Sequence, residues 1–321
     1  MSGDKRDHGG NLDAARQAWG GERQDWIDLS TGINPIPYPV PHLNAELWTA
    51  LPDETALANL IAAGKRFWNV PNNQSLIAAP GASALIAALP GLREAGRVAI
   101  DSPTYNEHAG SFLAHGWDVV SSEDSADARV IVHPNNPDGK VFQGDALDRY
   151  QFVIIDESFA DPNPELTLSA LAHHPGVIIL KSFGKFWGLA GLRLGFAIGH
   201  PDTIEAIRAR LGPWSVSGPA LDIGTRALLD SAWAKKTRQR LIADANRLDR
   251  LVFQSGRTHL VGGSPLFRLY ETSNAEAAQN AFANKKIWTR RFPYSDTWLR
   301  LGLPGSADAW ERVAEAVQDL P

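Results

Sequence analysis

An α/β protein is predicted, with a large domain on a mainly parallel central sheet covered by helices and a small α+β domain after it. Three observations carry this. Val98 to Ile100, Val130 to Val132, Phe152 to Ile155, Val177 to Leu180 and Leu194 to Ile198 are short runs, apolar throughout. Strands read that way when helices cover both faces of a sheet. Most of these runs are followed at once by Pro, Gly, Asn, Asp or Ser. Polar residues therefore collect at strand ends, where an open α/β sheet binds its ligands. Finally, Ala220 to about Phe253 shows helical apolar spacing without proline, then two strand-like runs, Leu266 to Tyr270 and Thr297 to Leu301.

The chain is expected to begin with an N-terminal arm and connector over 1–41. The stretch from Asn34 to Pro41 places proline at nearly every second position. Proline fixes φ and removes backbone donors, so this stretch is an extended connector. The large domain is expected over 42–212 and the small domain over 213–321, packed with the arm. With 44% hydrophobic and 21% charged residues among 321, the composition is that of a globular protein with a sizeable core. A net charge of -5 gives no reason to expect nucleic acid or an anionic membrane as partner. The absence of cysteine excludes disulfides, thiolate nucleophiles and cysteine-ligated metals. The polar N-terminus lacks the apolar stretch of a signal peptide, and no apolar run reaches bilayer length, so a cytoplasmic location is expected.

The chemistry concentrates at the strand ends. Ser182-Phe183-Gly184-Lys185 follows a buried strand, and Gly188 to Gly195 (GLAGLRLG) follows closely. Lysine can form an imine with an aldehyde, and partial burial keeps it reactive. Arg193 and Ser182 offer a guanidinium and a hydroxyl to a phosphate. Taken alone, Lys185 also fits a basic loop. Asp156 closes the run FVIID, where a carboxylate is costly to bury unless it meets a cation. A pyridinium nitrogen is such a cation. Asp161 fits a cap or turn role better. Asn136, in the proline-bracketed turn HPNNPDG, can donate its amide to a phenolate oxygen, while His133 reads as a packed residue. Pro80-Gly81-Ala82-Ser83 opens a helical pattern whose first amides can cradle a phosphate.

The succession NNPDG, DESF, SFGK and GLRLG resembles the fold-type I enzymes that use pyridoxal 5′-phosphate (PLP), the aspartate aminotransferase superfamily. The resemblance covers nearly the whole chain. It implies that Lys185 forms the imine with PLP, Asp156 pairs with the pyridine nitrogen, and Asn136 contacts the phenolate oxygen. It also implies that Ser182, Arg193 and the Ala82 and Ser83 amides hold the phosphate, and that Tyr105 stacks on the ring. His8-Gly9-Gly10-Asn11, Asp28 to Pro35 (DLSTGINP), LGPWSVSGPA and the late LRLGLP resemble the threonine-phosphate decarboxylases of cobalamin biosynthesis, near the histidinol-phosphate aminotransferases. Those decarboxylases convert O-phospho-L-threonine to (R)-1-amino-2-propanol phosphate and CO₂. By that likeness His8 and Gly9 meet the substrate phosphate, Arg300 holds the carboxylate and Arg290 lies with it.

Three departures stand out. Leu51 occupies the place of a tyrosine that reaches the partner subunit's cofactor in many relatives. Phe159 replaces the usual tyrosine of aminotransferases, which favours decarboxylation. Gly32 stands where some decarboxylases carry asparagine, leaving a backbone contact to substrate. A homodimer acting on a phosphorylated amino acid is implied. An aminotransferase, such as one for histidinol phosphate, is the alternative reading. A non-catalytic PLP-binding regulator is more remote, since no length is left for a DNA-binding segment.

Overall fold

The structure is a computed structural model describing residues 7–122, 124–143 and 147–321. Residues 1–6 of the expected arm lie outside these. The chain forms two compact units. One comprises 37–136 and 140–236; the other comprises the arm to Ile36, Pro137–Gly139 and Thr237–Pro321. The expected boundary at 213 thus differs from the observed one at 237. Helix Gly218–Leu229 packs on helix Glu54–Phe67 and so belongs with the larger unit.

The larger unit is built on seven strands: β1 (Ser75–Ala79), β2 (Arg97–Ile100), β3 (Asp118–Val120), β4 (Ala128–Val132), β5 (Phe152–Asp156), β6 (Val177–Ser182) and β7 (Gly195–Gly199). Their order is β1-β7-β6-β5-β4-β2-β3. Neighbours from β6 to β3 run parallel, whereas β7 is antiparallel to both β6 and β1. The five strands read from the sequence are all present, and the two it did not show, β1 and β3, are the sheet edges. Neither edge strand is a long β-branched run: β1 reads SLIAA and β3 has three residues. Val98, Val130, Ile154, Ile178, Leu180 and Ala197 pack with Leu85, Leu89 and Phe112 in one core cluster.

The expected single helix from Ala220 to Phe253 is two helices, Gly218–Leu229 and Ser231–Phe253. Asp230, at φ -87° and ψ 75°, leaves the helical region. Its carboxylate then accepts the Trp233 N–H at 2.9 Å. An aspartate that caps one helix start interrupts a helix that its apolar periodicity would continue.

In the smaller unit, Arg290–Phe292, Ser295–Gly302, Phe267–Glu271 and His259–Ser264 form an antiparallel sheet in that order. Ile27–Asp28 of the N-terminal segment pairs in parallel with Ile287–Trp288. Residues 7–36 thus belong to the same unit as the C-terminal ones. No described helix is long and apolar enough to cross a membrane.

Candidate active site

In the larger unit, the polar ends of β5 and β6 and the loop before β7 converge on one cavity. Ala82, Ser83, Tyr105, Asn136, Asp156, Ser182, Lys185 and Arg193 all line it, together with Ser158 and Phe159. The eight residues come from segments more than a hundred positions apart, and the sheet register aligns them. Asp156 is the last residue of β5, opposite Val132 on β4 and Leu180 on β6. Ser182 is the last residue of β6.

Lys185 follows in a tight loop closed by the Gly188 N–H donating to the Lys185 carbonyl at 3.1 Å. Its Nζ lies 5.5 Å from the centre of the Phe159 ring. Behind the loop, Phe183 and Trp233 stack on the two sides of the buried Trp187, at 5.0 and 5.2 Å. This rigid aromatic base fixes where the lysine emerges.

Arg193 adopts the left-handed conformation, φ 52°, and its Nη1 donates to the Ala190 carbonyl at 3.0 Å. Its guanidinium crosses Gly81, where a Cβ would come within 2.5 Å of Nη2. At Gly195 a Cβ would stand 2.3 Å from the Ala82 amide nitrogen. Two glycines thus let the arginine and the start of helix Ala82–Ala88 approach each other. The result is a cation beside exposed N-terminal amides, a setting for a phosphate.

Asp156 is 2% exposed. Burial alone would raise its pKa, but hydrogen bonds from His108 and Ser158, with the charge of His108, hold it below the ordinary carboxylate value. Imidazole Nε2 of His108 lies 2.9 Å from Oδ2. Neither partner is among the expected site residues. His108 had a visible signal, for it lies one helical turn beyond Tyr105, and the two rings meet edge-on at 6.0 Å. Ser158 had none.

His133 is buried, its Nε2 2.8 Å from the Leu166 carbonyl and its Nδ1 accepting the Phe142 N–H at 3.0 Å. It is a packed strand-end residue, as its setting implied. Asp161 lies in the turn that follows β5, as its setting implied. It is 4% exposed, accepts the Trp68 indole N–H at 2.8 Å and lies 3.9 Å from Lys181 Nζ.

The smaller unit holds a wider, polar cavity of about 630 Å³, lined by Asp7, His8, Gly10, Ser30, Arg290 and Arg291 among others. Arg290 Nη1 donates to Asp7 Oδ1 and to the His8 carbonyl, both at 2.7 Å. Its neighbour Arg291 holds another part of the wall, donating to Gln279 Oε1 at 2.9 Å with Glu276 at 3.6 Å. Successive strand residues point to opposite faces, so the pair divides its contacts. Arg300, Gly9 and Gly32 do not line this cavity. Arg300 is buried and donates to the Ser30 carbonyl at 2.7 Å. Burial, reinforced by the charge of Arg290, lowers its pKa to about 10. Gly9 packs on the same Ser30 carbonyl, where a Cβ would come within 2.4 Å. Gly32 is buried in the segment that follows.

Tyr294, also not among the expected site residues, stacks on Phe292 at 5.3 Å. The Phe292 ring lies 5.3 Å from the Arg290 guanidinium and 5.9 Å from that of Arg300. Burial pushes the Tyr294 phenol up to about 12, although both arginines draw it down.

The donor set of the first cavity suits PLP group by group. Lys185 meets an aldehyde, Asp156 a pyridine nitrogen, Arg193 with the helix start a phosphate, and Tyr105 and Asn136 supply an aromatic face and an amide. Residues 42–317 match the model of the class I and II aminotransferases. The chain belongs to that family. It is 37% identical to threonine-phosphate decarboxylase of Pseudomonas aeruginosa, over 97% of each chain. It is 36% identical to the enzyme of that name from a Sinorhizobium species, again over 97% of each. Its fold is similar to histidinol-phosphate aminotransferase of Sinorhizobium meliloti in complex with PLP: TM-score 0.78, 16% identity, 95% of this chain and 93% of that one. L-threonine-O-3-phosphate decarboxylase of Porphyromonas gingivalis shares the fold at TM-score 0.70 and 16% identity, over 90% of this chain and 98% of that one.

Proposed function

We propose that the chain is a PLP-dependent carboxy-lyase that converts O-phospho-L-threonine to (R)-1-amino-2-propanol phosphate and CO₂, in cobalamin biosynthesis. The observation that carries the cofactor assignment is the convergence of Lys185, Asp156 and Arg193 on one cavity. The substrate assignment is supported by 37% identity across 97% of a threonine-phosphate decarboxylase.

When bound, PLP supplies an electron sink for the pair left behind as a bond to the substrate Cα breaks. The chain's own residues decide which bond that is. Lys185 would hold the cofactor through its aldehyde, and its amine, in the same cavity, would be placed to move a proton at the substrate Cα. Asp156 keeps a negative charge in the pyridine-nitrogen position. Arg193, Ser182 and the Ala82 and Ser83 amides anchor the phosphate end, and Asn136 the phenolate oxygen. By the family likeness Arg300 and Arg290 would hold the substrate's carboxylate and phosphate, with His8, Gly9 and Gly32 in the adjoining segments; Arg300 would have to exchange the Ser30 carbonyl for that anion. Which of the two bonds breaks would be set by how these residues orient the substrate's carboxylate: one orientation favours loss of CO₂, the other proton abstraction from Cα.

The deciding experiment mixes PLP-reconstituted protein with O-phosphothreonine in the absence of any keto acid. Stoichiometric CO₂ release is expected. Absence of CO₂, together with keto-acid-dependent turnover of histidinol phosphate, would overturn this choice in favour of aminotransfer.

Asp7 provides a second test. Its carboxylate, 46% exposed, occupies Arg290 at 2.7 Å, so a substrate anion reaching that arginine must displace it. An exposed pair of this kind is worth up to about 1 kcal/mol. Asp7→Asn is therefore expected to lower the KM for O-phosphothreonine by about 2- to 5-fold with kcat unchanged, read from steady-state CO₂ release. A raised KM would contradict the role given to Arg290.

A homodimer is part of this reading. The larger unit exposes Trp48 at 70%, Leu51 at 65% and Trp214 at 61%, apolar surface that a second copy can cover.

A further inference from the structure

Asp156 Oδ1 receives two hydrogen bonds from a single residue. The Ser158 N–H donates at 2.9 Å and the Ser158 Oγ–H at 2.5 Å. The other oxygen, Oδ2, has His108 Nε2 at 2.9 Å. A carboxylate offers about four lone-pair sites. Three are thus occupied by this chain's own donors, and one remains for a donor in the cavity. Ser158 lines that cavity alongside Lys185, so its hydroxyl lies at the boundary between the ligand space and the strand end. The backbone N–H alone would suffice for an ordinary aspartate turn. The hydroxyl on the same oxygen is an addition that such a turn does not require.

Hydrogen bonds to the ionised form of a buried acid oppose the desolvation that would neutralise it. The titratable groups around this carboxylate include His108, on Oδ2, Lys185 and Tyr105 in the cavity lining, and Glu157 next in the chain. None of these bonds to Oδ1. Only Ser158 acts on that oxygen among the contacts the structure shows.

We infer that Ser158 is a positioning residue which, through its hydroxyl, keeps Asp156 a weak base and so leaves the proton between Asp156 and the PLP ring on the ring nitrogen. This inference rests on PLP occupying the cavity. Without the hydroxyl, Oδ1 gains basicity, the shared proton moves from nitrogen to oxygen, and the ring loses the positive charge that draws electrons from Cα. No other reactant is involved; one proton changes its partner.

The test uses holoenzyme reconstituted with PLP labelled with ¹⁵N in the ring. In the wild type the ring nitrogen is expected to resonate as a pyridinium. In Ser158→Ala it should move toward the neutral-pyridine position, with PLP affinity weakened by about 10-fold, as expected for one hydrogen bond to a charged group. Ser158→Thr keeps the hydroxyl and should restore both values, which a merely structural role would not predict for the more crowded side chain. An unchanged ¹⁵N position in Ser158→Ala, with PLP bound, overturns the inference alone. Failure of the wild type to bind PLP overturns it together with the assignment of the cavity. Should the alanine variant not fold, Ser158→Cys, a weaker donor of similar size, is expected at an intermediate position, and a wild-type position there overturns the inference equally.

Discussion

Lys185→Ala is expected to reduce decarboxylation by about 10⁴-fold or more, since on the proposed assignment it removes both the covalent anchor of the cofactor and the group that moves the proton at Cα. Turnover of O-phosphothreonine by CO₂ release measures this. The wild type should also fix PLP irreversibly on borohydride reduction, and the variant should not. Stability should change little. Lys185 is only partly buried, and its Nζ lies 5.5 Å from the centre of the Phe159 ring. The aromatic base of Phe183, Trp187 and Trp233 remains in place without it. A variant that keeps a tenth of the activity, with a normal far-ultraviolet spectrum, would remove Lys185 from its role.

The largest effect on stability is expected a few residues earlier, at Lys181. Its ammonium is 1% exposed and pairs with Glu157, itself 1% exposed, while Asp161 lies 3.9 Å away. Glu157 also accepts the Thr167 hydroxyl at 2.6 Å and the Leu168 N–H. One cation thus stands between two buried carboxylates. Lys181→Met leaves both without it, a change that typically destabilises by about 3–5 kcal/mol. The apparent thermal midpoint should fall by on the order of 10 °C for a chain of this size. Adding Glu157→Gln should recover part of the loss. A glutamine carbonyl still accepts from Thr167 or Leu168 and leaves one buried charge fewer. Denaturant midpoints of both variants decide the matter. A loss below about 1 kcal/mol in the single variant would mean that solvent reaches the carboxylates. Glu157 and Lys181 adjoin Asp156 and Ser182, so this pair also ties the two strand ends that carry the site.

The reach of the sequence differs from one part of the molecule to another. The five central strands were legible because burial on both faces writes an uninterrupted apolar run. The edge strands β1 and β3 were not, since an edge needs neither length nor a continuous apolar character. The break at Asp230 stayed hidden because a helix that stops and restarts with a capping aspartate keeps the same apolar rhythm on both sides. At the site, Lys185, Asp156 and Arg193 were readable as residues whose charge has no place at the end of an apolar strand without a partner. Ser158 and Tyr294 were not, because serine and tyrosine are ordinary at such positions until their neighbours are known, and His108 offered only its spacing of one helical turn from Tyr105.

By itself, then, the sequence determined the class of fold and the chemical groups available: an amine, a carboxylate, guanidinium groups and helix-start amides at strand ends. Those follow from local composition and periodicity, which a single chain displays directly. Only the tertiary structure decided which groups share a cavity, and which donors set the charge of Asp156. It alone showed that Asp7 sits on Arg290 and that the turn residue Asp161 is buried against Trp68 and Lys181. Such facts depend on contacts between residues tens to hundreds of positions apart, from Trp68 with Asp161 to Asp7 with Arg290. Sheet register and packing create these contacts, and no local pattern records them.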